Sequence, residues 1–327
     1  MKRIGAVLFF GLILGFGLGV NGVWAFSKKS ALPSSKVSSD VAQHPTVLSV
    51  TEDVSFRTLY SKRWHTEIKS NQSSNSRNSS YTEIRPGLHV LTSDSEYKNA
   101  DPTLTATPDG AEAKQLSHPV RFKNHLSYGR PTVEQGEQTN PVLEASPALI
   151  VYRDLSTDRS VVLARSKPAS LLFEKNIATY KDAFDHLRAD VRYTVRAGNL
   201  EQDVLLFEKP LPPAAYGLND ETTVLAVMTR VFSLEDRLQS GATIESPSTR
   251  TSLAQSKPDL KTLMTPRIAG PIVLEQGGQP LQQFARSYVL SENSKQRQAV
   301  HKRLVTVQGI HFLAEEIPSS YFQKQDL

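Results

Sequence analysis

Residues 189–208 constrain the fold more than any other stretch of this chain. From residue 189 to 196 the side chains alternate. Val191, Tyr193 and Val195 fall on one face, and Asp190, Arg192 and Thr194 on the other. That period of two is the pattern of a strand with one buried face. Ala197-Gly198-Asn199 follows as a turn signal, because Gly and Asn tolerate positive φ. Residues 200–208 then predict a return strand that ends at Lys209-Pro210. A hairpin with one apolar face must bury it against another layer.

The same signature recurs along the chain. Residues 81–84 and 88–91 flank a Pro86-Gly87 turn, and residues 103–107 precede Pro108-Asp109-Gly110. A further short strand is predicted at 119–122, followed by a polar loop over 127–146. Residues 149–152 and 160–164 read as a second hairpin around Ser156-Thr157-Asp158, and 171–173 as one more apolar run. Residues 222–232 are apolar and β-branched enough for a strand, although their periodicity also admits a helix. Strands are expected at 271–274 and 284–290, with a loop or short helix over 291–302. A last hairpin, 303–307 with 311–315, closes around Gly309. Many short strands with regular turn signals predict an all-β fold, a large antiparallel β-sandwich with polar linkers and at most short helices. No repeat of a length that builds a solenoid or propeller is present.

The N-terminus sets the expected address. Lys2-Arg3 precede an uncharged apolar run from 4 to 20, and Val23-Trp24-Ala25 fits a small-x-small cleavage site. Residues 1–25 therefore read as a secretory signal peptide. The rival reading is an uncleaved anchor, against which stand five glycines and a run of only about 17 residues. Residues 26–80 read as mostly flexible linker, rich in Ser, Lys and Pro and ending in the tract SNQSSNSRNSS at 70–80. Within it, Asn71 and Asn78 satisfy the glycosylation pattern, which arises readily in such a tract. The sandwich domain is placed at 81–327, with a polar excursion at about 236–266. The expected location is secreted, periplasmic or on the surface of a bacterium.

The composition narrows the chemistry. With no cysteine in the chain, disulfides, thiolate metal sites and cysteine nucleophiles are excluded. The net charge of +5 is spread along the sequence, so no nucleic-acid footprint is expected. Phosphate-loop, dinucleotide and GxSxG motifs are absent. The eight histidines, at 44, 65, 89, 118, 125, 186, 301 and 311, include no i, i+4 pair. Three carboxylate pairs are candidates for glycan cleavage: Glu201 with Asp203, Glu315 with Glu316, and Asp182 with Asp185. Solvated strand faces explain them more simply. Asp190 and Arg192 are expected to face Glu201 and Asp203 across the hairpin. Tyr193, Phe207 and Tyr216 form a possible sugar-stacking set, with core packing the simpler reading. No catalytic, cofactor-binding or metal-binding residue is assigned, and no cofactor is expected.

Several segments resemble a known family. They are YKDAF at 180–184, RADVRY at 188–193, GNLEQDVLL at 198–206 and PPAAYGLN at 212–219, flanked by YTEI at 81–84 and LVTVQGIHFLAEEIP at 304–318. In this order they resemble the N-terminal β-rich region of large secreted bacterial RHS/YD-repeat or cell-surface proteins of verrucomicrobial type. The chain departs from that pattern at Asn199-Leu200, where the family often carries a bulky aromatic. The resemblance implies a β super-sandwich and a non-catalytic structural or adhesive role, with another surface or repeat protein as partner. A carbohydrate-binding or carbohydrate-cleaving sandwich is the alternative.

Overall fold

The computed structural model describes residues 6–10, 46–58, 61–69, 76–84, 87–127, 129–136, 141–234, 243–245, 268, 271–276, 279–284, 287–291 and 298–323. In chain order the strands begin with β1 (Ala6–Phe10), β2 (Thr46–Asp53), β3 (Ser61–Lys69), β4 (Ser76–Ile84), β5 (His89–Leu91) and β6 (Tyr97–Asn99). Next come β7 (Thr105–Thr107), β8 (Gly110–Ala113), β9 (Val120–Lys123), β10 (His125–Leu126), β11 (Val133–Gly136) and β12 (Pro141–Asp154). The central part holds β13 (Ser160–Arg165), β14 (Ala169–Glu174), β15 (Ile177–Tyr180), β16 (Ala189–Arg196), β17 (Asn199–Leu206) and β18 (Thr223–Val231). The last are β19 (Thr243–Glu245), β20 (Ile272–Gln276), β21 (Gln279–Phe284), β22 (Ser287–Ser291), β23 (Gln298–Val307) and β24 (Ile310–Pro318). One short helix, α1 (Ser319–Gln323), follows them. The protein is all-β, as its alternation predicts.

The main sheet runs β10-β14-β15-β16-β17-β1-β22-β23-β24-β18-β12-β11-β9-β8-β7, with β13 branching from β12. It folds back on itself into two layers. Phe122 of β9 lies 5.2 Å, ring to ring, from Tyr193 of β16. Gln202 of β17 donates to the Thr229 hydroxyl of β18 at 2.8 Å. Tyr180 of β15 donates to the Lys123 carbonyl at 2.6 Å. The layers meet at bent segments. β23 pairs with β22 through residues 298–300 and with β24 through 301–307. The chain passes from β9 in one layer to β10 in the other.

Between the layers lies the main core, to which β16 contributes Ala189, Val191, Tyr193 and Val195 and β17 contributes Leu200, Val204 and Leu206. A second buried cluster, including Val151, Ala226, Met228, Val305 and Phe312, covers the opposite face of β12, β18, β23 and β24. Both faces of β18 are therefore apolar. This resolves the ambiguity at 222–232 in favour of a strand, since a run buried on both sides loses its alternation.

Two readings of the sequence need correction. Residues 46–80, within the stretch read as mostly linker, carry strands: β2, β3 and β4 form a three-stranded meander. Its strands hold side chains such as Thr51, Trp64 and Thr66 that suit an exposed sheet, so low hydrophobicity concealed it. The loop expected over 127–146 contains β11 and the start of β12. Pro141 and Pro147 obscured that strand, and a register shift between Pro147 and Leu149 accommodates the second proline. Most of the excursion at 236–266 lies outside the described residues, as do His44, Asn71 and residues 26–45.

The N-terminal apolar run has an unexpected place. β1, from the segment that reads as a signal peptide, pairs antiparallel with β17 on one side and β22 on the other.

Candidate functional site

The hairpin β16–β17 carries the charges that most resemble a site. Its register sets Arg192 opposite Asp203 and Thr194 opposite Glu201. The Arg192 Nε and Nη2 groups donate to Asp203 Oδ2 at 3.0 and 2.8 Å. Glu201 is held by Arg196 instead, through Nε at 2.8 Å and Nη2 at 3.0 Å. Asp190, expected to join them, accepts the Asp182 backbone N–H at 2.8 Å. The two carboxylates share a face, as alternation requires, but each has its own guanidinium. Asp203 is 4% exposed. Burial raises its pKa to about 6 and outweighs the opposing pull of Arg192.

The turn of this hairpin is braced from outside. A Cβ on Gly87, at φ +68°, would stand 2.1 Å from the Ala197 carbonyl oxygen. Neither Ala197 nor Gly198 takes a positive φ. The glycine this turn depends on is therefore far away in sequence.

Glu315 and Glu316 are adjacent in β24 and point to opposite faces. Glu315 points between the layers, where its register partner is Lys302 of β23, and it accepts the Ser287 hydroxyl of β22 at 2.5 Å. Burial pushes the Glu315 carboxyl up against the opposing Lys302 charge. The same burial pulls the Lys302 ammonium down against the charge of Glu315. Lys302 Nζ makes no hydrogen bond among the described residues. Glu316, on the other face, accepts from Arg303 Nε at 2.7 Å and lies 3.7 Å from Arg153 Nη1. Arg153 also pairs with Asp158.

The third pair separates as well. Asp182 binds Lys167 Nζ at 2.7 Å, whereas Asp185 accepts the Arg165 backbone N–H at 2.6 Å. None of the three predicted pairs forms a cleft with two carboxylates free to share a substrate. The aromatic set also disperses. Tyr193 is fully buried, Tyr216 packs edge-on to Tyr152 at 6.0 Å, and Phe207 lies beneath Arg188 at 5.6 Å.

Sequence reasoning gave no role to the buried side chains of His89, Lys302 and Arg303. His89 of β5 contacts the Thr58 carbonyl through Nδ1 at 2.6 Å and turns Nε2 toward Glu52 at 3.6 Å. Arg57 donates to the same carboxylate oxygen at 2.7 Å. Because a carbonyl only accepts, Nδ1 carries the proton. This contact ties the β2–β4 meander to β5, and no local sequence pattern marks it. His65 pairs with Asp53 at 3.2 Å, and His125 lies 3.5 Å from the Ser170 hydroxyl. No group of three or more His, Asp or Glu side chains that could hold a metal occurs among the described residues. No helix among them is long and apolar enough to cross a membrane.

The remaining feature with binding chemistry is main-chain. β17 and β22 both hydrogen-bond to β1, and Val204 and Val289, both fully buried, face each other across it at the position of Leu8. No family model, curated protein or solved structure matches this chain.

Proposed function

We propose that this chain is a secreted, non-catalytic structural or cell-surface interaction protein of bacterial type. The observation that carries the reading is the fate of the acidic groups. Glu201, Asp203, Glu316, Asp182 and Asp185 are each engaged by a basic side chain or a backbone donor, and Glu315 accepts the Ser287 hydroxyl, an arrangement that occupies these groups within the fold and brings no two carboxylates together on one cleft. The sorting signal at residues 2–25 supports export. The segments that resemble RHS/YD-repeat and cell-surface proteins point to another surface or repeat protein as partner. A sugar-binding role draws no support from Tyr193, which is fully buried, or from Tyr216 and Phe207, which pack against Tyr152 and under Arg188.

The test is export and activity together. The full chain, expressed in a bacterium with an intact secretion pathway, is expected outside the cytoplasm with residues 1–25 removed. It is expected to leave a panel of soluble polysaccharides unshortened. Cytoplasmic retention would overturn the export reading, and a shortened polysaccharide would overturn the non-catalytic one.

A further inference from the structure

Residues 6–10 have two incompatible fates. As sequence, they belong to a leader that export removes. As structure, they are β1, an interior strand paired on both sides within the main sheet. Ala6 to Phe10 run opposite Leu206 to Gln202 of β17, and Ala6 to Phe9 run opposite Ser291 to Tyr288 of β22. Without β1, both strands present unpaired N–H and C=O groups in the middle of a sheet, and such groups cost free energy when buried. The flanking side chains add an apolar demand. Val204 and Val289 are both buried in the main core, and Leu206 and Leu200 continue that face along β17. A strand seated here needs apolar residues at alternating positions, which Ala6, Leu8 and Phe10 supply by register.

The segment that follows the cleavage point offers no replacement. Between residues 26 and 45 no position starts a run with apolar residues at i, i+2 and i+4, and Pro33 and Pro45 each lack a backbone donor. The same shortage applies to that segment of a second copy.

We propose that, once the leader is removed, the gap between β17 and β22 takes up an extended strand donated by a partner protein, with apolar side chains at alternate positions. This rests on the export reading above and names the kind of partner that reading requires. The main-chain bonds supply affinity and the apolar register positions beside Val204 and Val289 supply selectivity, as in other strand-addition interfaces.

The test uses the exported product of the full chain. Intact mass gives its N-terminus, and hydrogen exchange follows residues 199–206 and 287–291. The probe is a lysine-flanked synthetic peptide carrying the sequence of residues 4–12, with a second peptide bearing Leu8→Asp. The expected result is a product lacking residues 1–25 whose β17 and β22 amides slow by about tenfold or more with the first peptide and not with the second. A product that becomes folded only when the first peptide is added supports the proposal equally. Amides already protected in the leaderless product without peptide, or unchanged by it, overturn the proposal while leaving export intact. A product that retains residues 1–25 overturns the export reading and this inference with it, and the mass alone identifies that case.

Discussion

The hairpins β16–β17 and β23–β24 are built from the same parts and treat their charges in opposite ways. Each has two long antiparallel strands joined by a two-residue turn, and each sets an opposite-charge pair in direct register, Arg192 with Asp203 and Lys302 with Glu315. In the first, the pair lies on the face away from the main core, and the arginine stays 30% exposed. In the second, the pair points between the layers, and both residues are almost wholly buried. The turns differ too. Gln308 and Gly309 both take positive φ, the geometry that suits the twist of a hairpin, and a Cβ on Gly309 meets nothing. The Ala197-Gly198 turn takes no positive φ and leans on Gly87 instead. Parity along a strand thus decides which side of the sheet a charge pair lies on and how much of its cation stays in water, and a hairpin can be closed by its own turn or by a remote segment.

The largest effect is expected where the charge is buried. Glu315→Leu leaves the Lys302 ammonium without a counter-charge and should cost about 3 kcal/mol in urea unfolding, whereas the double variant Lys302→Met with Glu315→Leu should recover that loss or exceed the parent. A double variant no more stable than the single would refute the view of this pair as a liability. The outer pair should show itself through pH. The Asp203 pKa is raised from 3.8 to about 6, so the folded state holds that proton longer than the unfolded chain. Its contribution is full below pH 4 and is lost as pH rises toward 6, by up to about 3 kcal/mol. Asp203→Asn should flatten that part of the stability–pH curve, and an unchanged slope would remove Asp203 as its source.

Smaller differences separate the two turns. Gly87→Ala should destabilise by more than about 1 kcal/mol, because it adds both a positive-φ penalty and a collision with the Ala197 carbonyl. Gly309→Ala has only the φ penalty and should cost less. Equal melting shifts for the two would contradict the bracing role of Gly87. At the exposed tip, Arg196→Ala removes the partner of Glu201 and should change stability by no more than about 0.5 kcal/mol, a value read by the same melts.

The hairpin at 189–206 was legible because one face is wet, so its alternation is clean. The β18 run was ambiguous because Val227 and Met228 are buried on opposite faces, and burial on both sides erases the period. The β2–β4 meander escaped notice for the opposite reason: its strands bury too little to produce a pattern. The charge pairs were half legible. Parity placed Glu201 with Asp203, but the opposite facing of Glu315 and Glu316, offered as a pair by the sequence, and the register that gave Arg196 to Glu201 and Asp190 to the Asp182 amide came from the structure.

By itself the sequence determined the all-β class and the strands with one wet face, since these follow from local periodicity and composition. Tertiary structure alone decided that Lys302 and Glu315 face inward, that Gly87 supports a turn more than a hundred residues away, and that residues 6–10 align with β17 and β22. Each of these depends on contacts between segments distant in the chain, where the shape of one surface dictates what the other must be, and no local pattern records that shape.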